Sequence, residues 1–186
     1  NTNVAIIVNG MIHIVGSGTT IITATQEGEL YTINEALPVS QTLIVTPVYK
    51  YVPATVVNTL GTSCKCTVGN LVSNNNTYHV VTSTTTPTRK TDWYGTVKIN
   101  QPNASVTKMT INYDGSYTIT KTQTLYLYNW TTSSWVLIDS RSVATADITI
   151  SKEISSFQNY ISSVGEIRMR VLASSTANNF KCKADW

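Results

Sequence analysis

Hydrophobic and polar residues alternate with a period of two along much of this chain. The clearest stretch is 122–138, TQTLYLYNWTTSSWVLI, in which two leucines alternate with Tyr126 and Tyr128. Successive side chains of a strand leave opposite faces, so this pattern predicts a half-buried strand with a leucine face and a tyrosine face. The polar segment 129–134 predicts a turn, and Trp135 begins a returning strand. Two interpretations of the tyrosine face stay open: a second buried layer, or a surface that binds something.

The first part of the chain, residues 1–46, contains several short strand signals. The apolar run 4–8 precedes Asn9-Gly10, a dipeptide that strongly favours a two-residue hairpin turn. Further strands are predicted over 20–25 and 41–45. We therefore expect a small unit of about four strands that ends near Pro47.

Residues 47–186 continue with many short strands at regular spacing. Segments such as 77–83, 105–113 and 166–172 alternate, and Asp114-Gly115 predicts a turn after one of them. No long window sustains the period of 3.6 residues that marks an amphipathic helix. The chain is therefore predicted to be all-β, with an antiparallel sandwich of the jelly-roll type in its larger part.

Composition narrows the functional classes. Of the 186 residues only 12% are charged, against about 25% in typical proteins, and the net charge is +3 without a Lys/Arg run. A nucleic-acid-binding protein would concentrate basic charge on one face, so that class is disfavoured. No apolar run approaches the roughly 20 residues that a membrane-spanning helix needs. The first residue is Asn, and we expect the chain to be a piece of a longer polypeptide.

One resemblance to a known family covers nearly all of residues 1–46. VAIIVNGMIHIVGSGTTIITATQEGELYTINEALPVSQTLIV resembles the C-terminal half of a bacterial Ig-like repeat, with its glycine turn, ITAT strand, TQ-G loop and final SQTL strand. The first strands of such a repeat are missing here. The resemblance implies a partial Ig-like sandwich that needs a partner sheet from the next domain or from another chain. It also implies a spacer or stalk in a secreted or cell-surface protein.

A second resemblance covers most of residues 50–186. The segments YHVV, DWYGTV, VTKMTINYDG, QTLYLYNWTTSSWVLIDSRSV, GEIRMRVLAS and FKCKADW resemble an accessory β-sandwich module, of the carbohydrate-binding type, from secreted bacterial proteins. The resemblance implies a domain over 47–186 beside the partial domain 1–46. It brings no set of catalytic residues with it.

The candidate ligand site combines aromatic and arginine side chains. Tyr126 and Tyr128 share one strand face, and Arg168 and Arg170 share another because the apolar residues between and around them take the opposite side. If the two strands are neighbours, one surface carries all four residues. Arginine stacks on aromatic rings and donates hydrogen bonds in a planar geometry. The alternative is a solvated strand face with arginine packed on tyrosine.

Two tryptophans complete the candidate ligand-binding set. Trp130 flanks the predicted turn as a rim contact, and Trp93 lies at a loop edge where it could line a loop-end site. Trp135 opens an apolar strand and is interpreted as a core residue. Enzyme motifs such as GxSxG, HExxH or a phosphate loop are absent from the sequence, and most acidic residues fall at predicted turns. We therefore expect a protein that is not an enzyme and has no catalytic cofactor.

Three aspartates and three cysteines are candidates for a calcium site and for a disulfide bond. Loop carboxylates and carbonyls can hold a structural calcium ion, and Asp92, Asp114 and Asp185 are the candidate ligands. Cys64, Cys66 and Cys182 cannot all pair within one chain. A bond from Cys64 or Cys66 to Cys182 is expected, with three buried free thiols as the alternative.

Two functions follow from these observations. The first is a non-catalytic module that binds a polysaccharide by aromatic stacking and hydrogen bonds, as part of a larger secreted or cell-surface protein. The second is a structural or adhesive surface protein, or filament subunit, in which the incomplete first unit completes a neighbour's sheet by strand addition and so self-associates.

Overall fold

A computed structural model of the chain describes residues 1–28, 36–64, 67–73, 75–85 and 87–185. These residues form strands and three short 3₁₀ helices, at Val68–Leu71, Asn103–Ser105 and Phe157–Tyr160. The predicted all-β class is confirmed. In the described part of the chain no helix has the length and hydropathy needed to cross a bilayer.

The chain divides into two compact units, Asn1–Lys50 and Tyr51–Trp186. The first contains two antiparallel hairpins. Strands β1 (Ala5–Val8) and β2 (Met11–Ile14) are joined by Asn9-Gly10, whose φ angles of 52° and 76° match the turn that this dipeptide predicts. Strands β3 (Gly18–Gln26) and β4 (Ala36–Val45) form the second hairpin. The division into domains 1–46 and 47–186, and the Ig-like assignment of the first, stay predictions.

The second unit is a sandwich of two five-stranded antiparallel sheets. Sheet I has the strand order β11-β10-β13-β8-β5. Its strands are β5 (Thr55–Leu60), β8 (Arg89–Lys98), β10 (Lys121–Asn129), β11 (Ser134–Val143) and β13 (Glu166–Ser175). Sheet II has the order β12-β9-β14-β7-β6. Its strands are β6 (Thr62–Ser63), β7 (His79–Thr82), β9 (Thr110–Tyr117), β12 (Ile148–Glu153) and β14 (Lys181–Ala184).

The core lies between the inner faces of the two sheets. The larger cluster is centred on fully buried aromatic and aliphatic side chains, among them Trp93, Tyr113, Tyr117, Leu125 and Val171. A second cluster joins Leu127 and Ile167 to the 3₁₀ helix at Phe157–Tyr160. Burial of one face of each strand is what the alternating pattern predicts, and it leaves the opposite face of sheet I for tyrosine and arginine.

The Asp114-Gly115 pair does not form the predicted turn. Both residues lie inside β9, which runs from Thr110 to Tyr117. A Cβ atom added at Gly115 would meet Lys183 O at 2.5 Å and Tyr113 Oη at 2.6 Å, so glycine is required here for close packing rather than for a turn. Asp114 is consequently a buried strand residue, with 2% of its surface exposed.

The disulfide expectation is wrong. Cys182 is a free, buried thiol, and Cys64 is disulfide-bonded. Cys64 follows β6, and Cys182 lies on β14, with β7 between these two strands. Two strand spacings are about 10 Å, beyond the reach of a disulfide. The alternative of three free thiols is also wrong, and Cys66 lies outside the described residues.

Candidate functional site

Strand β13 lies between β10 and β8 in sheet I. The register places Arg170 opposite Tyr126 on one side and opposite Tyr94 on the other. Residues directly opposite in an antiparallel pair share one face of the sheet. The condition set by the sequence is therefore met: the tyrosines of β10 and the arginines of β13 lie on one surface, the outer face of sheet I.

The hairpin formed by β10 and β11 adds Trp135 to this surface. Tyr128 pairs with Trp135, and Asn129 pairs with Ser134 across the turn. The Asn129 carboxamide oxygen accepts hydrogen bonds from the backbone N–H groups of Thr131 (2.9 Å) and Thr132 (3.1 Å), which fixes the turn. Because Trp135 is opposite Tyr128, it faces outward, and its interpretation as a core residue is wrong.

Seven side chains form what we call the aromatic–arginine face. Its members are Tyr94, Tyr126, Tyr128, Trp130, Trp135, Arg168 and Arg170, all of them partly exposed. The ring centroid of Tyr128 lies 4.9 Å from that of Trp130 and 5.2 Å from that of Trp135, both in edge-on geometry. Trp135 in turn lies 5.6 Å from Tyr94. These spacings and tilts are those that aromatic pairs prefer.

The contact between Tyr94 and Trp135 spans the width of the face. Their strands, β8 and β11, are separated by β13 and β10, which is three strand spacings or about 14 Å. Rings only 5.6 Å apart must therefore lean toward each other over the intervening strands. The four rings of Tyr94, Trp135, Tyr128 and Trp130 form one continuous cluster.

Arg168 lies against three of the four rings of this cluster. Its guanidinium carbon is 4.7 Å from the ring centroid of Trp130, 5.8 Å from that of Tyr128 and 5.9 Å from that of Tyr94. Its Nη2 donates to Glu166 at 3.3 Å, and its Nε is buried without a hydrogen-bond partner. Cation–π attraction within about 6 Å holds the rings and the guanidinium in a fixed arrangement.

The positive charge of Arg170 is paired more closely with a carboxylate than that of Arg168 is. It donates two hydrogen bonds to the carboxylate of Asp92, one of them from Nε at 2.6 Å, and these bonds raise the pKa of the guanidinium. The guanidinium also lies 5.7 Å from the Tyr126 ring and 5.6 Å from the Trp135 ring. Such a two-point pair fixes the orientation of the arginine as well as its charge.

Trp93 is not part of the face. It is adjacent to Tyr94 on β8 and therefore points the other way, into the core, with 2% of its surface exposed. The interpretation of Trp93 as the lining of a loop-end site is therefore corrected, and Tyr94 takes its place on the outer surface. The signal for Tyr94 was present in the sequence, because it alternates with Trp93 and shares a face with the polar residues Asp92 and Thr96.

The three aspartates considered for calcium do not form one group. Asp92 lies on sheet I and pairs with Arg170. Asp114 and Asp185 lie together on sheet II, where the Asp185 N–H donates to Asp114 O at 3.2 Å. Among the described residues no three His, Cys, Asp or Glu side chains come together as a metal-binding group. The three aspartates therefore do not share one calcium site, and calcium binding by any of them stays a prediction.

The aromatic–arginine face presents ring surfaces beside planar N–H groups on paired strands of a sheet. Its chemistry suits a ligand that has both apolar faces and hydrogen-bonding groups. Such a ligand can cover the partly exposed rings. The contacts between the rings and the Arg170–Asp92 ion pair keep the side chains of the face in a fixed arrangement.

The fold places the chain among antiparallel β-sandwich proteins. Residues 51–184 match the family model described as Domain of unknown function (DUF8815), and the chain belongs to that family. A search of curated proteins found no match. A solved structure described as TmCBM61 in complex with beta-1,4-galactotriose is similar to this chain at 11% identity and a TM-score of 0.40, covering 70% of this chain and 83% of that one.

Proposed function

We propose that this chain is a non-catalytic module that binds a polysaccharide through the aromatic–arginine face. The observation that carries the proposal is the cluster of four aromatic rings over two fixed arginines on one exposed surface of sheet I. The module acts outside the cell or at its surface, as one part of a larger polypeptide.

A sugar ring has two kinds of surface, one apolar and one polar. A pyranose ring has apolar C–H faces and hydroxyl groups at its edge, so it packs on an aromatic ring while its hydroxyls need hydrogen-bonding partners. Tyrosine hydroxyls and the arginine N–H groups that are neither buried nor bonded to Asp92 can supply such partners, whereas the Trp130 indole N–H is buried. Rings held by their neighbours lose little freedom on binding, which favours affinity.

Affinity electrophoresis in gels that contain different polysaccharides tests this proposal. We expect at least one polysaccharide to retard the wild-type chain, and we expect Trp135→Ala or Tyr128→Ala to abolish most of the retardation. Loss of an aromatic anchor should weaken binding by about 2 kcal/mol, or roughly thirtyfold. Tyr78→Ala is the matched control, because Tyr78 is a partly exposed tyrosine that packs on Lys183 on the other sheet.

Urea unfolding of each variant separates loss of binding from loss of fold. Should the alanine variants unfold, Trp135→Leu keeps an apolar side chain in the strand and removes only the ring. Unchanged retardation of that variant, or equal loss in Tyr78→Ala, would exclude the aromatic–arginine face as the site.

A second candidate function is assembly through the first unit. Its hairpins expose large apolar side chains, including Leu37 (90% exposed), Val39 (69%) and Ile44 (67%) on β4. Exposed apolar side chains on a short sheet favour pairing with a strand of another chain. Concentration-dependent assembly in sedimentation, with no retardation by any polysaccharide, would favour this function over the first.

A further inference from the structure

A pair of buried carboxylates lies on sheet II, far from the chemistry of the aromatic–arginine face. Ala184, the last residue of β14, lies opposite Gly115 of β9, and the next residue, Asp185, donates its backbone N–H to Asp114 O at 3.2 Å, which places Asp185 across from Asp114. Directly opposite residues have Cβ atoms about 5.5 Å apart on one face. Asp185 is fully buried and Asp114 is 2% exposed.

Each carboxylate uses only one of its oxygens. Asp185 Oδ2 accepts the backbone N–H groups of Asn75 (3.0 Å) and Asn76 (2.6 Å), and Asp114 Oδ2 accepts the Thr149 hydroxyl (2.7 Å). Asp114 Oδ1 and Asp185 Oδ1 are both buried with no hydrogen-bond partner. Two unsatisfied carboxylate oxygens on adjacent buried residues are strongly unfavourable unless a positive charge compensates them.

The described residues supply no such charge. Ion pairs involve Asp92, Asp139, Glu153 and Glu166, and none in the described part of the chain involves Asp114 or Asp185. The neighbouring cation, Lys183, lies over the Tyr78 ring, 5.4 Å from its centroid. The local field is negative: the hydrogen bond to Asp147, followed by burial and the charges of Asp147, Asp185 and Asp114, raises the pKa of Tyr78 to about 12.

We infer that Asp114 and Asp185 together bind a divalent cation of the hard, oxygen-preferring type, of which calcium is the best fit. Calcium takes carboxylate, amide and backbone carbonyl oxygens together, so two carboxylates suffice when loop oxygens and water complete the shell. The segment 75–76 is already tied to Asp185 by two hydrogen bonds. The cation therefore stabilises the attachment of this loop to the end of sheet II, and it has no part in sugar binding.

Thermal unfolding of the full chain after EDTA treatment tests the inference, with CaCl₂ and MgCl₂ added in separate titrations. We expect CaCl₂ to raise Tm by roughly 5–10 °C at a hundred times its dissociation constant, with a smaller effect of MgCl₂. Equilibrium dialysis should find one calcium ion per chain. Asp114→Asn and Asp185→Asn should lose both responses, because the amide keeps the size of the side chain and removes its charge.

Asp147→Asn is the matched control, since Asp147 is exposed and hydrogen-bonded to Tyr78, and it should keep the full calcium response. No bound calcium or magnesium in the wild-type chain would overturn the inference, as would an undiminished response in both Asn variants. None of these results depends on whether a polysaccharide binds.

Discussion

Because His79 is buried, it makes the stability of the sandwich depend on pH. It lies on β7 with 4% of its surface exposed, its ring centroid is 5.3 Å from that of Trp93, and both of its ring nitrogens lack hydrogen-bond partners. Burial disfavours the charged imidazolium, so it lowers the pKa of His79 from its ordinary 6.5. The sequence placed His79 on a strand, but only the packing of the two sheets determines that its ring is desolvated.

The sign of the resulting pH dependence follows from proton linkage. Near and below pH 6.5 the unfolded chain binds more protons at His79 than the folded chain does, so the free energy of unfolding decreases as the pH falls toward the lowered pKa of the folded state. We expect His79→Phe, which keeps an aromatic ring in the same space, to change stability at pH 8 by less than about 1.5 kcal/mol and to flatten the slope between pH 7 and 5.5. Urea unfolding at a series of pH values measures both. An unchanged slope in the variant would contradict the account.

At the scale of elements, the sequence predicted the β10–β11 hairpin and the two faces of β13. Alternation alone suffices for these, because it is a local property of each strand. The sequence could not predict that β13 lies between β10 and β8, since strands far apart in the chain pair only through the global topology. That Tyr94 lies beside Arg170 depends on this pairing, whereas alternation within β8 already places Trp93 and Tyr94 on opposite faces. Trp135 could have been found, because a residue opposite Tyr128 in a hairpin must share its face.

The pairing of β8 with β13 includes a buried ion pair that can be tested. Asp92 is 3% exposed and Arg170 25% exposed in their side chains. Arg170→Met should lower the free energy of unfolding by about 2–3 kcal/mol, somewhat less than for a fully buried pair, because a buried carboxylate is left without its partner. Adding Asp92→Val should restore most of this loss.

Urea unfolding of the wild type, both single variants and the double variant forms a double-mutant cycle. We expect a favourable coupling energy between Asp92 and Arg170 that is well above that of an exposed pair. Additive effects of the two substitutions would show that the pair does not stabilise the junction of β8 and β13.

At the scale of the whole molecule, composition and strand signals were enough to predict an all-β chain with an antiparallel sandwich. The positions of Asp114 and Asp185 were not predictable, because Asp-Gly is a turn signal locally and only the packing of Gly115 against β14 keeps it within a strand. The cysteine pairing failed for a similar reason: strand order decides which residues are within reach. In both cases the outcome depends on which strands are neighbours in the sheet, and these strands are far apart in the sequence.

The claim that the outer face of sheet I binds a polysaccharide is tested most directly by NMR chemical shifts of the labelled chain. An oligosaccharide from the polysaccharide that retards the chain is titrated in, and the indole N–H signals are followed. If the face binds the ligand, the signals of Trp130 and Trp135 shift together with backbone signals of β10 and β13, while that of the buried Trp93 stays in place. Shifts confined to sheet II or to residues 1–50, with Trp130 and Trp135 unchanged, would contradict it.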